Sequence, residues 1–136
     1  MAASSECRTV EDVSQGRVIF YGFAVVYLFG VVAQFFLAGL GVFGTTSYDA
    51  HKGLGFILGL IAIVLLVLAL ASKLPRPLSG LALLLVLLNI GQIVFIQIDI
   101  GEIKALHLVN ALAIALVANM LVQRSRRYLA AKLATP

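Results

Sequence analysis

Charge is what this chain has least of. Charged residues make up 12% of its 136 positions, tryptophan is absent, and cysteine occurs once, as Cys7. A small soluble domain has too much surface to cover with apolar groups and carries about a quarter charged residues. The shortage therefore excludes an ordinary water-soluble enzyme, a nucleic-acid-binding module and a disordered tail. A formal net charge of +4 could suggest a nucleic-acid partner, but the basic residues are scattered at segment ends and form no stripe that tracks a phosphate backbone. One cysteine rules out an internal disulfide framework and a multi-cysteine metal cluster, and leaves Cys7 as an inert free thiol. What the chain does have is apolar: 62% hydrophobic residues and a mean hydropathy of +1.08. Its solvent is a lipid bilayer.

Four charge-free runs set the organisation: 18–48, 53–72, 77–98 and 105–123. About 20 residues at 1.5 Å rise cross a hydrocarbon core of roughly 30 Å. Lipid offers no partner for a loose backbone group, so each run is expected to be helical. The first run is too long for one span, and Gly41-Val-Phe-Gly-Thr-Thr-Ser reads as a helix end, a loop and the next N-cap. Lys73-Leu-Pro-Arg-Pro stops one helix and starts another, and Asp99-Ile-Gly-Glu is a short acidic turn. The expected fold is an all-α membrane protein: a four-transmembrane-helix bundle with spans at about 18–41, 48–72, 77–98 and 103–123.

Residues 1–16 contain Glu6, Glu11 and Asp12 with no preceding apolar stretch, which reads as a mobile polar tail rather than a signal peptide. Residues 17–127 hold the bundle, and 128–136 form a short basic tail. Arg8, Arg17, Lys73, Arg76, Arg124, Arg126, Arg127 and Lys132 fall on one side of the bundle, whereas Lys52 and Lys104 fall on the other. That bias predicts a plasma-membrane protein, the cell inner membrane in a bacterium, with both termini cytoplasmic.

An approximate duplication is the most informative pattern. Gln34 in helix 1 is followed by His51 at the start of helix 2; Gln92 in helix 3 is followed by His107 near the start of helix 4. After each histidine, small residues recur every fourth position: Gly55 and Gly59, then Ala111 and Ala115. Residues four apart share a helix face. The chain thus reads as two parallel-repeat hairpins, with both histidines at one depth near the outer surface. Small-residue stripes also serve close helix packing. Paired behind the chain's only two histidines, they equally describe a slot for a flat ligand, with His51 and His107 as axial ligands of one haem iron. Lys52 and Lys104 stand beside the histidines, as partners for haem propionates or as cations reaching for lipid headgroups. Gln34, Asn89, Gln92, Gln97, Asn110 and Asn119 are amides that link helices, and Gln34 and Gln92 have as their alternative role hydrogen bonding near a cofactor. No span holds a buried Asp, Glu, Lys or Arg, which disfavours a pump or ion-coupled transporter.

The stretches Gln34-Phe-Phe-Leu-Ala-Gly-Leu-Gly-Val-Phe, His51-Lys-Gly-Leu-Gly and Ala105-Leu-His-Leu-Val-Asn-Ala-Leu resemble a family of small bacterial four-span membrane proteins of uncharacterised function. More distantly, the layout is similar to one four-helix half of haem A synthase. That resemblance implies histidines at the outer ends of helices 2 and 4, matched by His51 and His107, with Lys52 in place of a basic residue after the first. It also implies a catalytic glutamate three residues before the first histidine, where this chain has Tyr48, with Asp49 displaced by one.

Three functions follow as expectations. The first is an integral membrane protein that holds one b-type haem between His51 and His107, for electron transfer or as a haem-carrying subunit. The second is a cofactor-free structural or accessory subunit of a larger membrane complex, respiratory in kind; on any reading the partners expected are the bilayer and either such a complex or a second copy in a homodimer. The third is a haem-modifying enzyme, which requires Asp49 as its acid.

Overall fold

The computed structural model describes residues 2–133, with side chains described from 15 to 131. The chain forms four helices, α1 (Ala2–Val42), α2 (Asp49–Ala71), α3 (Arg76–Gln97) and α4 (Gly101–Leu133), and no strand occurs among the described residues. Each contains a segment long and apolar enough to cross a membrane: Gln15–Val42, Asp49–Ala71, Arg76–Gln97 and Gly101–Ala131. The protein is a multi-pass membrane helix bundle.

Helix ends fall where backbone chemistry puts them. Gly44 takes φ +69° after α1, a left-handed conformation that glycine adopts at no steric cost. Around it Thr45 donates to the Leu40 carbonyl through both its backbone N–H and its hydroxyl. Tyr48 caps α2 without a side-chain hydrogen bond, so no hydroxyl residue of the loop serves as the expected N-cap; Ser47 Oγ donates to Asp49 instead. Pro75 caps α3, and Pro77 sits in its first turn, where a missing N–H costs nothing. α1 begins at Ala2 and α4 runs to Leu133, so both helices continue from the spans into the segments read as tails. Residues 2–15 contain neither glycine nor proline, so nothing in them interrupts the hydrogen-bond ladder continued from the span.

The helices run up and down around a square. α1 packs against α2 and α4, α3 packs against α2 and α4, and the diagonal pairs make no close backbone approach. His51 and His107 therefore sit on diagonally opposed helices, as the two-hairpin reading requires. Lipid-facing positions keep large apolar side chains: Phe29 is 71% exposed, Phe36 67% and Leu108 67%.

The buried positions follow two fixed offsets. In α1 and α3, Phe20, Ala24 and Tyr27 are buried, as are Leu78, Ala82 and Leu85, each 58 residues later. In α2 and α4, Leu58, Ala62, Leu65 and Ala69 are buried, as are Ile114, Ala118, Leu121 and Ser125, each 56 residues later. Ser125 keeps its hydroxyl satisfied by the Leu121 carbonyl at 2.7 Å.

This apolar core occupies one end only. Every buried hydrophobic residue lies at or beyond Val31, Leu58, Leu85 and Ile114 on the side of the chain termini. Among the described residues, no fully buried apolar side chain lies in the half that carries the histidines, where Leu54 and Leu88 are half-buried against the core.

Glycines in α1 report the same packing. A Cβ at Gly30 would lie 2.6 Å from Leu58 Cδ2, whereas a Cβ at Gly22 meets nothing within 4 Å. Gly30→Ala is expected to lower stability by about 1 kcal/mol, since the buried Leu58 must move. Gly22→Ala is expected to be neutral or to raise it by roughly 0.5 kcal/mol through reduced backbone entropy. Thermal unfolding of both variants in one detergent checks the pair; equal shifts would contradict this packing.

Candidate functional site

Each histidine is anchored by the helix before it. His51 Nδ1 lies 3.3 Å from the Gln34 carbonyl oxygen, and His107 Nδ1 lies 3.0 Å from the Gln92 carbonyl oxygen. A carbonyl only accepts, so Nδ1 carries the proton in both rings and Nε2 keeps a free lone pair. Metal-binding histidines are commonly oriented in this way, one nitrogen donating to a carbonyl and the other facing the metal.

The two rings come together across the bundle. Their centroids are 6.3 Å apart with an interplanar angle of 61°. A metal held linearly between two imidazole nitrogens, about 2 Å from each, places ring centres roughly 6 Å apart. The angle between ring planes is free in such an arrangement, because each ring can turn about the metal–nitrogen axis. No group of three or more His, Cys, Asp or Glu is placed to hold a metal among the described residues, so the chain offers two ligands and no closed all-protein centre. A group that brings its own equatorial ligands, as a porphyrin does, fits that donor set.

The flanking residues divide. Ala111 is half-buried, one turn beyond His107; Gly59 and Ala115 lie level with Leu58 and Ile114 at the edge of the apolar core, where a Cβ on Gly59 meets no atom within 4 Å and Ala115 packs against the core. Gly55 is different: a Cβ there would lie 2.8 Å from Gln34 Nε2, so the amide of Gln34 lies over it and closes that part of the slot. The small residue at Gly55 makes room for a side chain of the neighbouring helix.

The lysines also have partners that their spacing did not reveal. Lys104 Nζ donates to Asp99 Oδ1 at 2.5 Å, and the pair is exposed. That hydrogen bond and the ammonium charge hold the Asp99 carboxyl below its usual pKa. Lys52 Nζ stands 4.0 Å from Asp49 Oδ1, with both side chains largely in solvent. Either cation would have to leave its aspartate to reach a propionate.

The acid required of a haem-modifying enzyme is not aimed at the histidines. Asp49 accepts from Ser47 Oγ at 2.9 Å and faces Lys52, with its side chain 83% exposed. The residue that does meet His51 is Tyr48, edge-on at 6.3 Å between centroids.

The amides of Asn110 and Gln34 also shape the site. Buried Asn110, one turn below His107, donates through Nδ2 to the Leu88 carbonyl at 2.8 Å and to Gln92 Oε1 at 2.5 Å. The position 56 residues earlier is Leu54, which has no polar group to give. Gln34 Oε1 is accordingly buried with no hydrogen-bond partner. Aligning the two histidines and comparing the third residue after each would have exposed this difference.

A family of unknown function, DUF6220, matches residues 34–98, from Gln34 through the whole of α2 and α3. The matched segment includes His51 but not His107. No curated protein and no solved structure matches the chain.

Proposed function

We propose that the protein is a membrane cytochrome-like haem carrier, binding one b-type haem between His51 and His107. The observation that carries this reading is the pair of imidazoles 6.3 Å apart, each with Nδ1 committed to a carbonyl, in the half of the bundle without an apolar core. Bound there, haem would supply one-electron redox chemistry. The chain supplies two imidazoles whose Nε2 lone pairs are left free by their Nδ1 contacts, with the small side chain of Ala111 one turn beyond His107. Lys52 and Lys104 lie at the same end, where propionates would meet water.

Several features support the finer parts of the proposal. Matching burial at offsets of 58 and 56 residues, and matching histidine–carbonyl bonds, support a duplicated helical hairpin. The excess of basic residues at the end carrying the termini supports both termini in the cytoplasm and the histidine end outward, in a plasma membrane. Tyr48 at the position of the synthase glutamate, with Asp49 turned to Ser47 and Lys52, favours electron transfer or haem carriage over modification of the haem.

The test is a reduced-minus-oxidised absorption spectrum of protein purified from haem-replete cells, with haem extraction. One haem per chain and sharp α and Soret bands are expected. Protein of the correct helicity with no Soret band would overturn the proposal and leave a cofactor-free subunit.

A further inference from the structure

The two histidines are not held alike. The His107 anchor is rigid: Gln92, whose carbonyl receives His107 Nδ1 at 3.0 Å, is itself fixed through Oε1 by Asn110, which also grips the Leu88 carbonyl. The His51 anchor lacks that lock. Its contact to the Gln34 carbonyl is longer, 3.3 Å, and Leu54 stands where an amide would be needed to hold Gln34. Gln34 Oε1 is left buried without a donor, so the Gln34 side chain gains by moving towards one. His51 also lies in the first turn of α2, next to the loop at 43–48, whereas His107 sits on the second turn of α4. Second-sphere hydrogen bonds fix the ring orientation and basicity of a ligating histidine, and their loss weakens the bond to the metal.

We infer that His107 is the permanent ligand and His51 the replaceable one, so that a small neutral diatomic gas can take the place of His51. This rests on the haem reading above. The exchange balances without a redox step: the iron–Nε2 bond of His51 breaks, the lone pair stays on the imidazole, and the gas donates its own pair to ferrous iron. An uncharged ligand suits the position. Among the described residues, the charged groups at this end are exposed, with Lys52 beside Asp49, Lys104 bonded to Asp99 and Glu102 on the surface. Tyr48 is the ring next to His51 on the loop side.

The probe is carbon monoxide added to the dithionite-reduced full-length protein in detergent, followed at the Soret band. The wild type is expected to bind it, and His51→Ala to bind it at least tenfold faster while keeping its haem. His107→Ala is expected to lose most of its haem. Leu54→Asn supplies Gln34 with the donor that Asn110 gives Gln92, and should slow carbon monoxide binding at least tenfold. Asn110→Leu makes the two anchors alike and should speed it, which keeps the inference testable if Leu54→Asn fails to fold. A wild-type Soret band unmoved by carbon monoxide would overturn the inference while the haem reading stands. So would haem retained by His107→Ala but lost by His51→Ala, or a rate indifferent to both Leu54→Asn and Asn110→Leu. Absence of any Soret band would overturn both readings together.

Discussion

A His51→Ala/His107→Ala double variant is expected to lose the Soret band altogether, at least a tenfold fall in bound haem per chain, while keeping its helical circular dichroism. Each single variant still presents one imidazole; the double variant presents none. Met120, two-thirds of the way along α4, cannot substitute, because it lies 13 residues beyond His107 and is 47% exposed on the bundle surface. The fold is expected to survive because the two rings contribute little to packing. The buried residues Phe20 to Val31, Leu58 to Ala69, Leu78 to Leu85 and Ile114 to Leu121 all lie on the other side of the site. What the substitutions remove is two histidine-to-carbonyl hydrogen bonds, each worth about 1 kcal/mol. A band that persists in the double variant would place any haem elsewhere.

Tyr27→Ala is expected to cause the largest loss of stability of any single substitution in the bundle, roughly 3–5 kcal/mol by analogy with other buried aromatic truncations. Tyr27 is 1% exposed and among the largest fully buried side chains. It also links a diagonal pair of helices, α1 and α3, whose backbones do not approach: Asn89 Nδ2 donates to the Tyr27 hydroxyl oxygen at 2.7 Å and to the Leu85 carbonyl at 2.8 Å. Tyr27→Phe keeps the ring and removes that acceptor, while Asn89 retains Leu85, so its cost is expected near 1 kcal/mol. Denaturation of both variants in a common detergent, followed by circular dichroism, separates volume from hydrogen bonding. If Phe proved as damaging as Ala, the hydroxyl rather than the ring would be holding the diagonal.

Much of this architecture was readable before any coordinates. Charge-free runs, broken by the Gly41–Ser47, Lys73–Pro77 and Asp99–Glu102 segments, located four helices, because lipid tolerates neither charge nor unpaired backbone. The spacing of Gln34 from His51 and of Gln92 from His107 pointed to corresponding places in two hairpins, and the structure ties each glutamine carbonyl to the following histidine. What composition could not reveal was the direction of individual side chains. Gly55 and Gly59 look alike in sequence, yet one lies under Gln34 and the other faces open space. Lys52 and Lys104 stood out as isolated cations beside histidines, but the flanking turns fold Asp49 and Asp99 back onto them. The Asn110 lock and its missing counterpart at Leu54 were hidden for a different reason. An amide in a membrane helix looks like generic glue until its partner is known. The buried stripe was accessible in principle, since Ala24 and Ala82, Ala62 and Ala118, and Leu65 and Leu121 are identical pairs at the two offsets.

The confinement of the core to one end bears on assembly. Helices that meet through Tyr27, Leu65, Leu85 and Leu121 can reach their final arrangement with nothing between the histidines, because none of those contacts passes through the site. On the haem reading proposed above, insertion into the membrane and uptake of the haem are then separable in time, with the histidine end the last part of the bundle to be completed.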